Sequence, residues 1–324
     1  MDNNLLSVIV ITYNQPQYIF RLLDSIFIQT YHSIELIITD DGTIDFDESS
    51  LLQYINSNKR KNIVSVKILH ENINIGTVKN INRGLLAAKG AFVKIVAGDD
   101  FFPTSSVFSK QVEYLYNNPD CFVVSGQIMD CFEDETPAYT RGACMANELQ
   151  SKVYKMDKEK RLKYCFKHRI FPYATQTMCF RMAFIEIYGF YDERFSLIED
   201  ISMANRLVDN DVDIGVIGEC VIVHRINSGV SATRKLFRAS GFRYYEDNKL
   251  LFYESYSKEK NLWWKLVYYN HYKIASYRIA MAGNDNKLSR FGQTVRYIPS
   301  LILYSLINYD IFLQKIKSFS RSFR

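Results

Sequence analysis

Short apolar runs alternate with helical patterns through the first 130 residues of the chain. The apolar runs have the length of β-strands, are rich in Val, Ile and Leu, and span residues 5–11, 34–39, 63–69 and 91–97. Runs that are apolar on both faces are typical of buried parallel strands. Because helices separate them, the pattern predicts an α/β fold with a mostly parallel, Rossmann-like sheet flanked by helices.

Helical periodicity between the strands supports this fold class. The first helix follows Pro16, and its apolar positions have the spacing of one buried stripe: Ile19, Leu22, Leu23 and Ile26. A later helix is predicted to end at Gly90, and another begins at Glu199. Further strand-like runs cover residues 174–180, 212–217 and 221–224. Residues 131–167 have no regular pattern, so no element is predicted there.

The distribution of charge divides the chain into two parts. The whole sequence has a net charge of +5, yet residues 1–233 hold 23 Lys and Arg against 29 Asp and Glu. Residues 234–324 hold 17 basic against 6 acidic residues, and they are helical in pattern and rich in aromatic side chains. The sequence therefore predicts an acidic α/β domain over 1–233 and a basic helical C-terminal region over 234–324.

The basic region carries an apolar stripe near its end. The stripe residues recur at spacings of 3 and 4 positions: Ile298, Ile302, Leu306, Tyr309, Leu313 and Ile316. We expect this segment to lie on an anionic membrane surface, or to pack on the α/β domain or on a second subunit in a homodimer. Nucleic acid is disfavoured as a partner, because no nucleic-acid motif accompanies the charge.

No segment of the sequence has the pattern of a membrane-spanning helix or a signal peptide. The longest charge-free stretch near the C-terminus, residues 297–309, has 13 residues, whereas a spanning helix needs roughly 20. The first residues lack a basic region and pass directly into a strand pattern. The six cysteines form no Cys-x-x-Cys pair, which favours a reducing compartment. We expect a cytoplasmic protein, peripheral at the inner face of the cell membrane.

Two of the predicted strands end in a pair of carboxylates. Asp40 and Asp41 follow the second strand, and Asp99 and Asp100 follow the fourth. Ligands of open α/β sheets bind at this edge, so both pairs are candidate site residues. The first pair can accept the imide N–H of a uracil or the hydroxyls of a ribose, or can close an Asx turn. The second pair can bind Mg²⁺ or Mn²⁺, or can cap a helix.

Two later segments add candidate chemistry. Asp200 lies at a predicted helix N-terminus, which keeps a carboxylate ionised, so it can act as a base or only as a cap. His224 and Arg225 follow the last predicted strand. A neutral imidazole can complete a metal site, and a guanidinium can bind diphosphate oxygens in a bidentate manner.

The order of these segments resembles that of a known family. The segments are VIVITYN at 8–14, DDGT at 40–43, NIG at 74–76, NRG at 82–84, GDD at 98–100, GFYDE at 189–193, ED at 199–200 and RL at 206–207. They resemble the family-2 inverting glycosyltransferases of the GT-A fold, of the type that assembles bacterial surface polysaccharides. The resemblance covers about residues 5–231.

The resemblance implies a metal-dependent enzyme of the hexosyltransferase type that uses a nucleotide-diphosphate sugar. A UDP-sugar is preferred because the acids at Asp40 and Asp41 suit a uracil imide, although a thymine presents the same edge. The acceptor is expected to be a hydroxyl of a glycan or of a lipid-linked glycan. By the resemblance, Thr12 and Asn14 flank the base pocket, and Asp40 or Asp41 binds the base or the ribose. Arg83 belongs to the helix beneath the donor.

The resemblance also assigns the reacting end of the site. Asp99 corresponds to a ribose or metal contact and Asp100 to a contact with metal and diphosphate, while His224 is the third expected ligand of Mn²⁺ or Mg²⁺. Asp200 corresponds to the general base. Arg225 is expected to close over the diphosphate together with Ser228 and Ser231.

Two other functional classes share parts of this pattern. A nucleotidyltransferase also uses paired acids on Mg²⁺, but it would need a glycine-rich, basic loop after the first strand, and residues 12–16 (TYNQP) are not such a loop. A non-catalytic binding module of the same fold would be favoured by the absence of Asp100 or Asp200. Both residues are present.

Overall fold

The computed structural model describes residues 4–153, 156–157, 160, 164, 174–210, 212, 214–226, 234–282 and 286–307. The strands are β1 (Leu6–Thr12), β2 (Ile34–Asp40), β3 (Ile63–His70), β4 (Phe92–Ala97), β5 (Val123–Cys131), β6 (Pro137–Ala138), β7 (Met178–Arg181) and β8 (Ile214–Arg225). The first seven helices are α1 (Pro16–Phe27), α2 (Glu48–Asn58), α3 (Thr77–Ala87), α4 (Val107–Asn117), α5 (Arg141–Val153), α6 (Met182–Tyr188) and α7 (Glu199–Asp209). Three longer ones follow: α8 (Arg234–Lys258), α9 (Leu262–Ala282) and α10 (Lys287–Ile307). The predictions for Ser228, Ser231, Tyr309, Leu313 and Ile316 lie outside the described residues.

The eight strands form one sheet in which most neighbours run parallel. The strand order is β3-β2-β1-β4-β7-β5-β6, and β8 pairs with β5. Strands β3, β2, β1 and β4 are parallel, as are β5 and β8, whereas β7 runs antiparallel between β4 and β5. The predicted mostly parallel α/β sheet is confirmed. Because β2, β1 and β4 are adjacent and parallel, their C-terminal ends lie side by side.

Helices cover both faces of the sheet because its central strands are apolar on both sides. Val8 and Val10 point to one face, where they share a core with residues of α1, α2 and α4. Ile9 points to the other face and shares a core with residues of α3, α6 and α7. This division follows from the alternation of side chains along a strand. The apolar stripe predicted for α1 is buried, as expected.

Three element boundaries differ from the sequence prediction. Helix α3 ends at Ala87, and Gly90 lies instead against β1, where a Cβ atom would come within 2.7 Å of the backbone nitrogen of Ser7. The strand predicted over 174–180 begins only at Met178, after a 3-10 turn. The runs at 214–217 and 221–224 belong to the single strand β8, which has irregular register against β5. Local patterns cannot separate a bulged strand from two strands, because both interrupt the alternation of side chains.

The chain divides into two compact units. The first contains the sheet and helices α1 to α7. The second contains α8, α9 and α10 with the segment 196–198, in which the amides of Ser196 and Leu197 donate to the carboxylate of Asp247 at 2.9 and 2.7 Å. The predicted C-terminal helices are present, while the predicted boundary between residues 233 and 234 stays a prediction. Within the described ranges, no helix combines the length and the apolar character needed to cross a membrane.

A substitution at Gly84 tests the close packing of α3 against the sheet. A Cβ atom at this position would lie 2.4 Å from Cγ2 of Ile9 and 3.2 Å from Cγ2 of Thr39. We expect Gly84→Ala to lower the free energy of unfolding by about 1–3 kcal/mol, because overpacking costs more than the gain in helix propensity. Gly292→Ala in α10 is the control, since a Cβ atom there meets nothing within 4 Å, and it should stabilise. Thermal unfolding followed by circular dichroism measures both changes, and a stable Gly84→Ala protein would contradict the close packing.

Candidate active site

A backbone bridge brings two of the predicted site segments together. Phe101 N donates to Val223 O at 3.1 Å, and Val223 N donates to Phe101 O at 2.8 Å. The bridge fastens the turn after β4 to the end of β8, although 122 residues separate the two partners in sequence. As a result, Asp99 and Asp100 lie beside His224 and Arg225, as the sequence analysis expected for a shared site.

The two carboxylates after β4 are almost completely buried. Asp99 is 6% exposed and accepts a hydrogen bond from Gln15 Nε2 at 3.2 Å. Asp100 is 2% exposed, and its Oδ1 accepts from the amide of Arg225 at 3.2 Å. The pKa of Asp100 is raised to about 7, mainly because the group is buried; His224 and Arg225 lower the pKa, and the negative charge of Asp99 raises it. A carboxylate in this position is stabilised by any additional positive charge.

His224 faces both carboxylates and is oriented by a third one. Its Nδ1 lies 2.9 Å from Oδ1 of Asp130, at the end of β5. Burial lowers the pKa of His224, but the charges of Asp100, Asp130 and Asp99 outweigh this effect and raise its pKa above the usual value. With Nδ1 directed at Asp130, Nε2 remains as the ring nitrogen for a ligand.

The donor atoms of this cluster are suited to a hard divalent cation. Carboxylate oxygens of Asp99 and Asp100 and the Nε2 atom of His224 form an oxygen-rich set of the kind that Mg²⁺ or Mn²⁺ accepts. In the described part of the chain, no three His, Cys, Asp or Glu side chains already surround one point. A cation here would therefore depend on further oxygens from a bound phosphate, as is usual for Mg²⁺.

The structure gives Arg225 a role different from the predicted diphosphate contact. Its guanidinium is buried, with Nε donating to the carbonyl of Asp99 at 3.3 Å and Nη1 donating to the carbonyl of Glu133 at 2.6 Å. Nη2 donates to Glu135 at 3.2 Å, and the group lies 5.0 Å from the ring centre of Tyr18. These contacts fix the β5–β6 connection against the turn after β4. The expected contact of Arg225 with the diphosphate stays a prediction.

Asp40 forms the Asx turn that was the alternative interpretation of the first carboxylate pair. It is fully buried and accepts from the amides of Gly42 and Thr43 at 3.1 and 2.8 Å. It also accepts from the Thr43 hydroxyl and lies 2.9 Å from His70 Nδ1. A carboxylate has about four acceptor positions, so these partners occupy its capacity. Asp40 is therefore a weaker candidate than Asp41 for binding a base or a ribose, and the expected contact of one of these two acids with the donor stays a prediction.

Asp41 is buried but less fully occupied. Its Oδ1 accepts from the amide of Ile75 at 2.7 Å, and its Oδ2 accepts from the amide of Gly76 at 3.1 Å. Burial raises the pKa of Asp41, although these two hydrogen bonds and Arg83 lower it. Since its amide donates to the carbonyl of Thr12, Asp41 joins the ends of β1 and β2 to the Asn-Ile-Gly turn before α3.

The remaining predicted donor residues surround this edge. Asn14 has a left-handed backbone with φ of 52°, and its amide donates to Thr43 Oγ1 at 2.8 Å. Thr12 ends β1, and its side chain lies against Gly98. A Cβ atom at Gly98 would come within 3.2 Å of the Thr12 side chain. Arg83 donates from Nη2 to the carbonyl of Asp40 at 2.7 Å, so it supports the turn from below.

Asp200 lies in the first turn of α7, and its Oδ1 accepts from the amide of Ile201 at 2.7 Å. Burial raises the pKa of Asp200 from 3.8 to about 6, although hydrogen bonds from the backbone lower it. Burial is therefore a larger effect on the pKa of Asp200 than the hydrogen bonds of the helix N-terminus. A carboxylate with this pKa is a stronger base than an exposed one, yet it is still mostly ionised at neutral pH.

The loop before α7 is anchored by a residue that the sequence analysis did not select. Asn82 Nδ2 donates to the carbonyl of Tyr191, and the amide of Tyr191 donates to Asn82 Oδ1, each at 2.9 Å. Asn82 belongs to the NRG segment, so its sequence position was the available signal. Asp130 and Gln15 were missed as well, and no local pattern marks them, because their partners are 94 and 84 residues away.

Comparison with known sequences identifies a family profile and several glycosyltransferases that are similar to this chain. Residues 7–188 match the sequence profile described as glycosyl transferase family 2. The uncharacterized glycosyltransferase EpsJ of Bacillus subtilis is 25% identical over 271 residues, which are 84% of this chain and 71% of that protein. Glycosyltransferase GlyG of Streptococcus pneumoniae is 30% identical over 140 residues, 42% of this chain and 43% of that protein. An uncharacterized glycosyltransferase of Haemophilus influenzae is 35% identical, but the match spans only 33% of its length.

Solved structures with the same fold support the architecture. S. aureus TarS 1–349 in complex with UDP gives a TM-score of 0.54 at 17% identity, over 84% of this chain and 71% of that chain. The mannosyltransferase PcManGT from Pyrobaculum calidifontis, in complex with GDP-Man and Mn²⁺, also gives 0.54 at 17% identity, over 94% of this chain and 84% of that chain. These similarities confirm the predicted GT-A fold.

The contact between His224 and Asp130 predicts a measurable pKa change. Asp130→Asn removes a negative charge next to Nδ1, so the pKa of His224 should fall in metal-free protein. Histidine signals followed by NMR against pH give this value, with His70 as an internal reference. Asp134→Asn, an exposed acid on the same β5–β6 connection, is the control and should leave the titration of His224 unchanged. An unchanged pKa in Asp130→Asn would show that Asp130 does not set the charge of the imidazole.

Proposed function

Because the chain belongs to glycosyltransferase family 2, we propose that it transfers a sugar from a nucleotide-diphosphate donor to a glycan hydroxyl with inversion at the anomeric carbon. The observation that carries the proposal is the cluster of two buried carboxylates, Asp99 and Asp100, with the partly exposed imidazole of His224 at the C-terminal edge of the sheet. Its acidic groups are stabilised by a cation, and a nucleotide diphosphate brings a divalent cation with it and offers that cation further oxygen ligands.

The reaction that fits these residues is a single displacement. Asp200 accepts the proton of the acceptor hydroxyl, and the oxygen forms a bond to C1 of the sugar. The bond between C1 and the diphosphate oxygen breaks on the opposite face, and its electron pair leaves with the nucleoside diphosphate. A divalent cation held by Asp100, Asp99 and Nε2 of His224 would supply neutralisation of the charge on that leaving group.

UDP is the proposed leaving nucleotide. Asp41 retains acceptor capacity on Oδ2, so it is the better of the two acids after β2 for a uracil imide or a ribose hydroxyl. The TarS structures in complex with UDP and UDP-GlcNAc are consistent with this donor, whereas PcManGT is in complex with GDP-Man. We propose that the acceptor is a glycan, and specifically a lipid-linked glycan. This proposal rests on the family resemblance and on the basic C-terminal helices.

Product release tests the proposal directly. With a panel of UDP-sugars and GDP-Man, we expect release of the nucleoside diphosphate, loss of this release in excess EDTA, and recovery with Mn²⁺ or Mg²⁺. Full turnover in EDTA would contradict the metal site. Pyrophosphate as product would indicate a nucleotidyltransferase, and donor binding without any turnover would indicate a binding module.

Substitution of Asp200 tests the general base. Asp200→Asn should lower kcat by about 10²–10⁴-fold, the usual contribution of general-base catalysis, with little change in donor affinity. Because only ionised Asp200 can accept a proton and its pKa is about 6, kcat/KM of the wild type should fall roughly tenfold per pH unit below 6. Asp209→Asn, at the other end of α7, is the control. A flat pH profile or near wild-type turnover in Asp200→Asn would remove Asp200 from this role.

A further inference from the structure

Helix α10 exposes an apolar stripe along its length. Six large apolar side chains recur at spacings of 3 or 4 residues, so they lie on one face of the helix. Each of them is between 44% and 81% exposed: Leu288, Phe291, Val295, Ile298, Ile302 and Leu306. The opposite face packs in the second unit, where Tyr277 contacts Tyr297 and His271 contacts Tyr304. The stripe therefore lies outside the core of this unit.

The charge of the helix restricts what can cover this stripe. Helix α10 contains Lys287, Arg290 and Arg296 and no acidic residue, and residues 234–324 hold 17 basic against 6 acidic side chains. A second copy of the chain placed on the stripe would bring two strongly basic surfaces together, which is unfavourable. Nucleic acid would match the charge but would leave the aliphatic side chains in water. A surface that is both apolar and anionic would match the apolar stripe and the positive charge together.

A cleft on the packed side of α10 adds positive charge suited to phosphate. It has a volume of about 450 Å³ and lies between α8, α9 and α10. Ile274, Met281 and Leu301 contribute apolar walls, and the guanidinium groups of Arg278 and Arg290 line it as well. Arg278 donates to the Tyr245 hydroxyl at 3.2 Å. Within the described ranges, neither arginine forms an ion pair with a carboxylate, so the guanidinium groups of both can donate hydrogen bonds to a phosphate group.

We propose that the second unit docks on an anionic phospholipid bilayer, with the α10 stripe inserted among the acyl chains and Arg278 and Arg290 on lipid phosphates. From Leu288 to Leu306 the stripe is about 27 Å long at 1.5 Å per residue, and it would lie in the plane of the membrane. Membrane binding of this kind combines buried apolar area with attraction to anionic headgroups. Such docking would hold the enzyme next to a lipid-linked acceptor.

Vesicle flotation of the full-length protein tests the two contributions separately. The probes are vesicles of phosphatidylcholine with 30% phosphatidylglycerol and vesicles of phosphatidylcholine alone. Wild type should partition at least tenfold more strongly to the anionic vesicles, and 0.5 M NaCl should reduce this difference. Phe291→Asp with Ile302→Asp should lose at least tenfold in partitioning to the anionic vesicles. Arg278→Gln with Arg290→Gln should retain binding but weaken the preference for anionic lipid, because the other basic residues of the region remain.

A matched control places the same kind of substitution, exposed apolar residue to Asp, on the first unit. Leu86→Asp with Ile187→Asp also replaces two exposed apolar residues, which are 72% and 62% exposed, and it should float like wild type. Circular dichroism establishes that each variant is folded, and Phe291→Ser with Ile302→Ser replaces the Asp variant if that one fails to fold.

Three outcomes would overturn the proposal. They are the absence of wild-type binding to anionic vesicles, equal flotation of wild type and stripe variant, and a solution dimer that the stripe variant converts to a monomer without any vesicle binding. Because flotation requires neither donor nor acceptor, its result is independent of the glycosyl-transfer assay. The membrane proposal and the proposed function can therefore fail separately.

Discussion

The pairing of Phe101 with Val223 is the interaction on which the geometry of the candidate site depends. Its two backbone hydrogen bonds join the turn after β4 to the end of β8. Together with the hydrogen bonds from Arg225 to Asp99 and Asp100, this bridge sets the position of the buried carboxylates relative to His224 and Arg225. The parallel register of β1, β2 and β4 provides the rest of the frame, because it places the ends of three strands at one edge. The site is therefore built by the sheet, and its loops are attached to that frame.

Buried negative charge is the main energetic problem at this edge. Asp99, Asp100 and Asp130 lie within one region of low exposure, and removing charged groups from water is costly. Arg225 balances part of the charge, but it does so as a buried structural cation whose donors are taken by the main chain and Glu135. His224 supplies positive charge that can vary, because its protonation depends on the same carboxylates. A site with this balance favours ligands that bring positive charge with them.

The two acids after β2 illustrate how one motif serves two purposes. The acceptor positions of Asp40 are occupied within the turn that follows it. The same turn holds Thr43, whose Oγ1 accepts a hydrogen bond from the amide of Asn14. Asp41 holds the turn before α3 and keeps part of its acceptor capacity. Structural and functional carboxylates are thus neighbours in sequence, and their hydrogen-bond partners distinguish them. The same holds for Asp200, whose raised pKa comes from burial and whose position comes from its helix.

The sequence by itself determined the α/β class, the apolar stripe of α1, the helical C-terminal region and the strand ends that carry Asp99, Asp100 and His224. These features are local, because the period of apolar residues and the residues that end a run depend only on near neighbours. The tertiary structure alone decided that β7 runs antiparallel between β4 and β5, that Arg225 is buried against Glu133 and Glu135, and that Asp130 orients His224. It also decided that the stripe of α10 stays exposed. The physical reason is that a pattern shows which side of an element is apolar or charged, whereas burial and pairing depend on residues about a hundred positions away.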